Sequence, residues 1–77
     1  MKIKVYGADW CSDCVTAKRF LDLKGVDFEY IDITDNQNAI LLVEKINNGR
    51  RVIPTLVVDG VSFTNPGING LVKILAQ

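Results

Sequence analysis

The chain has 77 residues, of which 48% are hydrophobic and 23% are charged, which is typical of a folded globular domain and excludes a disordered segment. Nine basic and nine acidic residues give a formal net charge of zero, so no basic patch or polybasic tail indicates nucleic acid or a membrane surface as a partner. We expect one domain over residues 1–77. We also expect a cytoplasmic location, because no apolar leader precedes the first strand pattern.

Apolar periodicity divides the chain into seven elements. Alternation around Ile3 and Val5 predicts a strand at 2–6, and a helix follows from about Cys11 to Lys24, where Gly25 stops it. On that helix, helical spacing predicts a buried side that carries Cys14, Ala17 and Leu21. The later elements are a strand at 26–33, a helix at 38–47 that starts near Thr34-Asp35, strands at 56–58 and 61–64, and a helix from Pro66 with Ile68, Leu71, Val72 and Leu75 on its apolar side.

The resulting order, β-α-β-α-β-β-α, indicates an α/β fold. A helical crossover between the first two strands implies that they pair in parallel. The dipeptide Asp59-Gly60 is a two-residue hairpin signal, so the last two strands add an antiparallel edge.

The only two cysteines, Cys11 and Cys14, are spaced Cys-x-x-Cys between the first strand and the first helix. This arrangement is typical of a dithiol–disulfide redox site. Cys11 lies at the expected helix N-terminus, where free backbone N–H groups and the helix dipole stabilise a thiolate, so we expect it to be the nucleophile. Cys14, one turn further on and more shielded, is the expected resolving thiol. Negative charge on Asp9 and Asp13 favours a reducing over an oxidising pair.

Other interpretations of the cysteine pair exist. A structural disulfide would close so short a loop that it adds little stability, and the cytoplasm would reduce it. A structural zinc site needs four Cys or His ligands, and this chain has two cysteines and no histidine, so no metal is expected within one chain. The alternative function is a redox-responsive binding module or a dimer bridged by a metal or an iron–sulfur cluster. Metal content and mass in solution distinguish this alternative from an enzyme.

Two segments together resemble the glutaredoxin branch of the thioredoxin superfamily: Trp10-Cys11-Ser12-Asp13-Cys14 and, some forty residues further on, Val52-Ile53-Pro54-Thr55. The resemblance covers nearly the whole chain. It implies a thioredoxin-like, glutaredoxin-type fold with a central four-stranded mixed sheet flanked by three helices. It also implies a small oxidoreductase that reduces protein disulfides or mixed disulfides of low-molecular-weight thiols.

The resemblance also implies a substrate groove around Pro54. In the family the matching proline is cis and lies against the dithiol, and the backbone at the position of Ile53 pairs with the substrate. Thr55 would complete that groove, and Trp10 would form an apolar wall beside the cysteines. Arg50 matches the family arginine four residues before the proline, and Arg51 adds a second positive charge for an anion.

The chain departs from many glutaredoxins at three places. Ser12-Asp13 replaces Pro-Tyr between the cysteines, and Ala8 stands where a lysine often binds a glutathione carboxylate. In place of Gly-Gly-x-Asp, the chain has Thr64 and Asn65 followed by proline, which is more similar to the Thr-Asn-Pro of mycoredoxins. For a dithiol oxidoreductase of this kind we expect no bound cofactor. We expect the electrons to come from glutathione, mycothiol or a flavin-dependent thioredoxin reductase. The expected partners are that electron source and disulfide-containing proteins, and the chain is expected to be a monomer.

Overall fold

Seven elements follow one another in the order that the sequence predicts. The computed structural model describes all residues from Met1 to Gln77. The elements are β1 (Ile3–Gly7), α1 (Ser12–Leu23), β2 (Glu29–Asp32), α2 (Gln37–Ile46), β3 (Thr55–Val58), β4 (Val61–Thr64) and α3 (Gly67–Leu75).

The four strands form one mixed sheet in the order β2-β1-β3-β4. β1 pairs with β2 in parallel, whereas β1–β3 and β3–β4 are antiparallel. At the centre, Val5 lies opposite Tyr30 on one side and Leu56 on the other. The predicted parallel pair, the antiparallel edge and the four-stranded sheet with three helices are confirmed.

Each face of the sheet has its own hydrophobic cluster, because successive strand residues point to opposite faces. Ile3 and Val5 face α1 and α3, and Tyr6 faces α2. The first cluster consists of Ile3, Val5, Ala17, Leu21, Leu56, Val58, Leu71 and Ile74, and the second of Tyr6, Ile33, Ala39, Ile40 and Val43. The predicted buried side of α1, which carries Cys14, is confirmed.

The second strand and second helix have different bounds from those predicted. β2 begins only at Glu29, and the earlier Val26 instead donates its backbone N–H to the Leu21 carbonyl at the end of α1. α2 begins at Gln37 and not near Thr34-Asp35, because the Asn36 side chain accepts a hydrogen bond from the Ala39 N–H and caps the helix.

The buried side of α3 is also different from the predicted one. Pro66 is the residue that flanks the helix, and the first helical residue is Gly67, with φ of 69°. Leu71 and Ile74 are buried against the first cluster, whereas Ile68 and Val72 are exposed. Leu71 is buried as predicted and Leu75 packs partly buried against the same cluster, but the buried stripe also includes Ile74. None of the three helices is long and apolar enough to cross a membrane.

Two leucines on α1 give a matched test of this packing. Leu21 is fully buried in the first cluster, whereas Leu23 is 81% exposed. We predict that Leu21→Ala lowers the free energy of unfolding by about 2–5 kcal/mol, because it leaves a cavity in the core. Leu23→Ala is expected to change it by less than about 0.5 kcal/mol. Urea denaturation measures both values, and similar losses in the two variants would contradict this packing.

Candidate active site

Cys11 occupies the N-cap position of α1. Its backbone is extended, with φ of −98° and ψ of 115°, and its sulfur accepts a hydrogen bond from the Cys14 backbone N–H at 3.4 Å. The thiol thus takes the place of the oxygen that usually caps a helix. The side chain is partly exposed. Negative charge on this sulfur would meet the positive end of the helix dipole and free N–H groups of the first turn.

Cys14 lies one turn into α1 and is fully buried. Burial is the main reason why its pKa is raised to about 12, and the hydrogen bond with Cys11 adds to the shift. Both cysteines are free thiols in this structure. The pair therefore combines a thiol that solvent reaches with one that the core shields.

The loop before β3 lies beside Cys11. The Ile53–Pro54 peptide bond is cis, as the resemblance implies. The Cys11 thiol points at the Ile53 carbonyl oxygen over 3.9 Å, a long and weak hydrogen bond. Because β1 and β3 are antiparallel neighbours, with Tyr6 opposite Thr55, the last residues of β1 and the first residues of β3 lie side by side at the same end of the sheet.

The start of α3 closes the other side of the site. The Asn65 backbone N–H donates to the Pro54 carbonyl at 2.8 Å, and its side-chain amide donates to the Asp13 carboxylate at 3.4 Å. A narrow cleft of about 40 Å³ lies between α1 and α3, lined in part by Asp13, Pro54 and Asn65. A much larger cleft, of about 490 Å³, runs along β1 from Lys2 to Tyr6 on the face that α2 covers, and neither cysteine lines it.

The comparisons with known proteins agree with this geometry. Residues 3–63 match the glutaredoxin family model. Mycoredoxin 1 of Corynebacterium glutamicum is 34% identical over 65 residues, which cover 83% of this chain and 80% of that protein. The chain belongs to the glutaredoxin family. With its Cys11-x-x-Cys14 pair, this glutaredoxin is a small thiol–disulfide oxidoreductase.

Solved structures show the same fold. The thioredoxin-like protein BC3987 is 28% identical with a TM-score of 0.81, and the match covers 94% of this chain and 97% of that one. The glutaredoxin-like NrdH-redoxin from Escherichia coli is 26% identical with a TM-score of 0.71, and the match covers 83% and 82% of the two chains.

Both threonines expected to contact substrate use their hydroxyls in hydrogen bonds to other protein groups. Thr55 is fully buried and donates to the Val52 carbonyl at 2.7 Å, and it also accepts from the Asn47 amide at 3.1 Å. The Thr64 hydroxyl donates to the Asn47 side-chain oxygen. The Thr55 hydroxyl therefore holds the loop, and the part of Thr55 in the substrate groove stays a prediction.

The charged and aromatic candidates lie at the surface of this glutaredoxin. Trp10, directly before Cys11, is 75% exposed. Arg51 forms an ion pair with Glu44 at 3.4 Å, and both side chains are partly exposed, so the pair adds little stability. Arg50 is exposed, and its backbone N–H donates to the Asn47 carbonyl. Neither guanidinium makes a hydrogen bond to a cysteine.

Sequence reasoning missed three residues of the site. Asn47 was expected only as the last residue of the predicted helix at 38–47, but its side chain joins the end of α2 to β3 and β4 through Val43, Thr55 and Thr64. Gly7 lies just outside the predicted strand at 2–6, and Tyr30 lies within the predicted strand at 26–33. A Cβ atom on Gly7 would lie 2.9 Å from both the Cys14 sulfur and the Tyr30 hydroxyl oxygen. The alternation in β2, which places Tyr30 on the face of α1, was the one available signal.

The different surroundings of the two thiols predict selective alkylation. A pKa of about 12 leaves on the order of one Cys14 in ten thousand as thiolate at pH 8, and the core also shields it. Iodoacetamide at pH 8 is expected to modify Cys11 of the reduced protein at least about a hundredfold faster than Cys14. The Cys14 rate should rise about tenfold per pH unit below its pKa.

Peptide mass spectrometry after timed quenching measures the two rates. The protein unfolded in urea is the control, where both cysteines should react at similar rates because burial is lost. Equal rates in the native protein would show that Cys14 is not shielded.

Proposed function

We propose that Cys11 is the nucleophile and Cys14 the resolving thiol of this glutaredoxin. The observation that carries the proposal is the difference in burial over one helical turn: the Cys11 sulfur is partly exposed at the helix N-cap, and the Cys14 sulfur is fully buried. A substrate disulfide can approach only the first. Cys14 is then the thiol within reach once a substrate is held at Cys11, since its backbone N–H already contacts the Cys11 sulfur.

The reaction takes two exchange steps. The Cys11 thiolate attacks one sulfur of the substrate disulfide, forms a mixed disulfide and releases the first substrate thiolate. Cys14 then loses its proton and attacks the Cys11 sulfur. The Cys11–Cys14 disulfide forms, the mixed disulfide breaks, and the electron pair leaves on the second substrate sulfur, which takes up a proton. Two electrons pass from the dithiol to the substrate, and an external reductant restores the dithiol.

The groove beside Cys11 supports the proposed substrate contacts. The Ile53 carbonyl lies 3.9 Å from the Cys11 sulfur, so a substrate backbone that paired with Ile53 would bring its own sulfur close to Cys11. Pro54 lies beneath this position, and the exposed Trp10 would cover an apolar part of the substrate. Asn65 would offer its amide to a polar ligand group, since its hydrogen bond to Asp13 is long at 3.4 Å.

We propose that the electron source is a mycothiol-type thiol. Asp13 lies in the cleft beside the site, and Ala8 is buried where many glutaredoxins carry a lysine. Both features disfavour the carboxylates of glutathione, whereas mycothiol presents neutral sugar hydroxyls that an amide such as Asn65 can bind. The 34% identity to mycoredoxin 1 supports the same choice. Arg50 and Arg51 would then contact an acidic group of a protein substrate.

The proposed setting is the cytoplasm, where two free thiols persist. We also propose that residues 1–77 act as one domain and as a monomer. The Escherichia coli NrdH-redoxin, although glutaredoxin-like, has a thioredoxin-like activity profile. A thioredoxin reductase is therefore the competing electron source.

NADPH consumption with bis(2-hydroxyethyl) disulfide distinguishes the electron sources. Three supply systems are compared: mycothiol with mycothiol disulfide reductase, glutathione with glutathione reductase, and thioredoxin reductase alone. We expect turnover with the first to exceed the others by at least about tenfold, because a single well-placed polar contact is worth about that factor.

Two variants control this assay. Cys11→Ser should abolish turnover with every supply system. Ser12→Ala, in the same motif, should keep it within about twofold, because Ser12 is exposed and its hydroxyl makes no hydrogen bond to the protein. Turnover only with thioredoxin reductase would contradict the mycothiol proposal and leave the dithiol mechanism in place. Full activity of Cys11→Ser would contradict the mechanism itself.

A further inference from the structure

The hydroxyl of Tyr30 lies beside the buried thiol of Cys14. Tyr30 is on β2, opposite Val5 of β1, and its side chain packs on the face that holds α1 and α3. Its hydroxyl oxygen and the Cys14 sulfur each lie 2.9 Å from the point that a Cβ atom on Gly7 would occupy. The two atoms are therefore at most twice that distance apart, and they are neighbours only because residue 7 has no side chain.

The second exchange step needs a group that stabilises a thiolate on Cys14. Burial opposes that charge and raises the Cys14 pKa to about 12. The chain contains no histidine, and the charge of Asp13 contributes to the same upward shift. A backbone hydrogen bond from Ala8 lowers the Cys14 pKa in part, and a second neutral donor close to the sulfur would stabilise the thiolate further.

Tyr30 is the candidate for this second donor, although its hydroxyl makes no hydrogen bond to the neutral Cys14 thiol in this structure. Its hydroxyl makes no hydrogen bond to another protein group, so its proton is free to be donated. Burial is the main reason why the pKa of Tyr30 is raised to about 12, and the charges of Cys14, Asp9, Asp32 and Cys11 contribute to that shift, so the phenol keeps its proton at neutral pH. The Lys18 ammonium lies 4.5 Å from the centre of the Tyr30 ring and holds the ring in place through a cation–π contact.

We propose that Tyr30 is a positioning residue for the resolving thiol: its hydroxyl donates a hydrogen bond to the Cys14 sulfur as that sulfur becomes a thiolate. The inference rests on the proposed roles of Cys11 and Cys14. In the step concerned, the bond between the two cysteine sulfurs forms and the bond from Cys11 to the substrate sulfur breaks. The Cys14 proton passes to the departing substrate thiolate, and Tyr30 keeps its own proton throughout.

Stopped-flow reaction of the reduced protein with 5,5′-dithiobis(2-nitrobenzoate) separates the two steps. Attack by Cys11 releases one thionitrobenzoate at a rate proportional to the reagent concentration. Attack by Cys14 releases the second at a rate independent of that concentration. We expect Tyr30→Phe, which removes only the hydroxyl, to slow the second phase by about tenfold, since a hydrogen bond to a charged group is worth at least that factor. The first phase should stay within about twofold of wild type.

Tyr6→Phe is the matched control, because Tyr6 lies on the other face of the sheet in the cluster under α2. It should leave both phases unchanged, and the urea midpoints of both variants show whether the fold is retained. A second phase of normal rate in Tyr30→Phe, an equal slowing of both phases, or the same slowing in Tyr6→Phe would overturn the inference. If the wild-type protein releases only one thionitrobenzoate, the proposed role of Cys14 fails, and this inference fails with it.

Discussion

The position of Cys11 at the start of α1 is the constraint on which the site depends. A helix that begins at Ser12 places residue 11 at the N-cap, half outside the helix, and turns residue 14 into the core. The same three-residue spacing that lets the two sulfurs reach each other therefore gives them opposite surroundings. One cysteine is partly exposed at the positive end of the helix, and the other is kept as a thiol by burial.

The sheet brings the second half of the site to this point. β1 ends at Gly7, directly before the loop to Cys11, and the antiparallel β3 begins next to it, directly after Pro54. If β1 and β3 ran in parallel, the loop after β1 and the loop before β3 would lie at opposite ends of the sheet. Hydrogen bonds from Asn47 and Asn65 then fix the proline loop to α2 and to the start of α3. The fold thus positions Ile53 beside Cys11 through contacts that are distant in sequence.

Local patterns predicted what depends on local structure. The helical spacing of Cys14, Ala17 and Leu21 identified the buried side of α1, and Asp59-Gly60 identified the hairpin. Both residues of that turn have positive φ, as such a turn requires. The element order and the pairing of the first two strands followed from the same patterns.

Features that depend on long-range pairing were not predictable. The apolar residues from Val26 onwards predicted a strand, but only the residues that pair with β1 form one. Thr55 was expected in the groove because it follows Pro54. The hydrogen bonds that its hydroxyl makes with Asn47, at the end of α2, and with Val52, in the preceding loop, could not be predicted from the sequence. The closeness of the Tyr30 hydroxyl to the Cys14 sulfur beside Gly7 depends on three separate elements, and no pattern within one of them reveals it.

Mapping the trapped intermediate tests the division of labour between the two cysteines most directly. Cys14→Ser protein is treated with bis(2-hydroxyethyl) disulfide, and the adducts are located by peptide mass spectrometry under acid quench. We expect one adduct per molecule, on Cys11, and in wild type a Cys11–Cys14 disulfide with no lasting adduct. A Cys14→Ser protein that remains unmodified, or a wild-type protein that keeps its adduct on Cys11, would contradict this division.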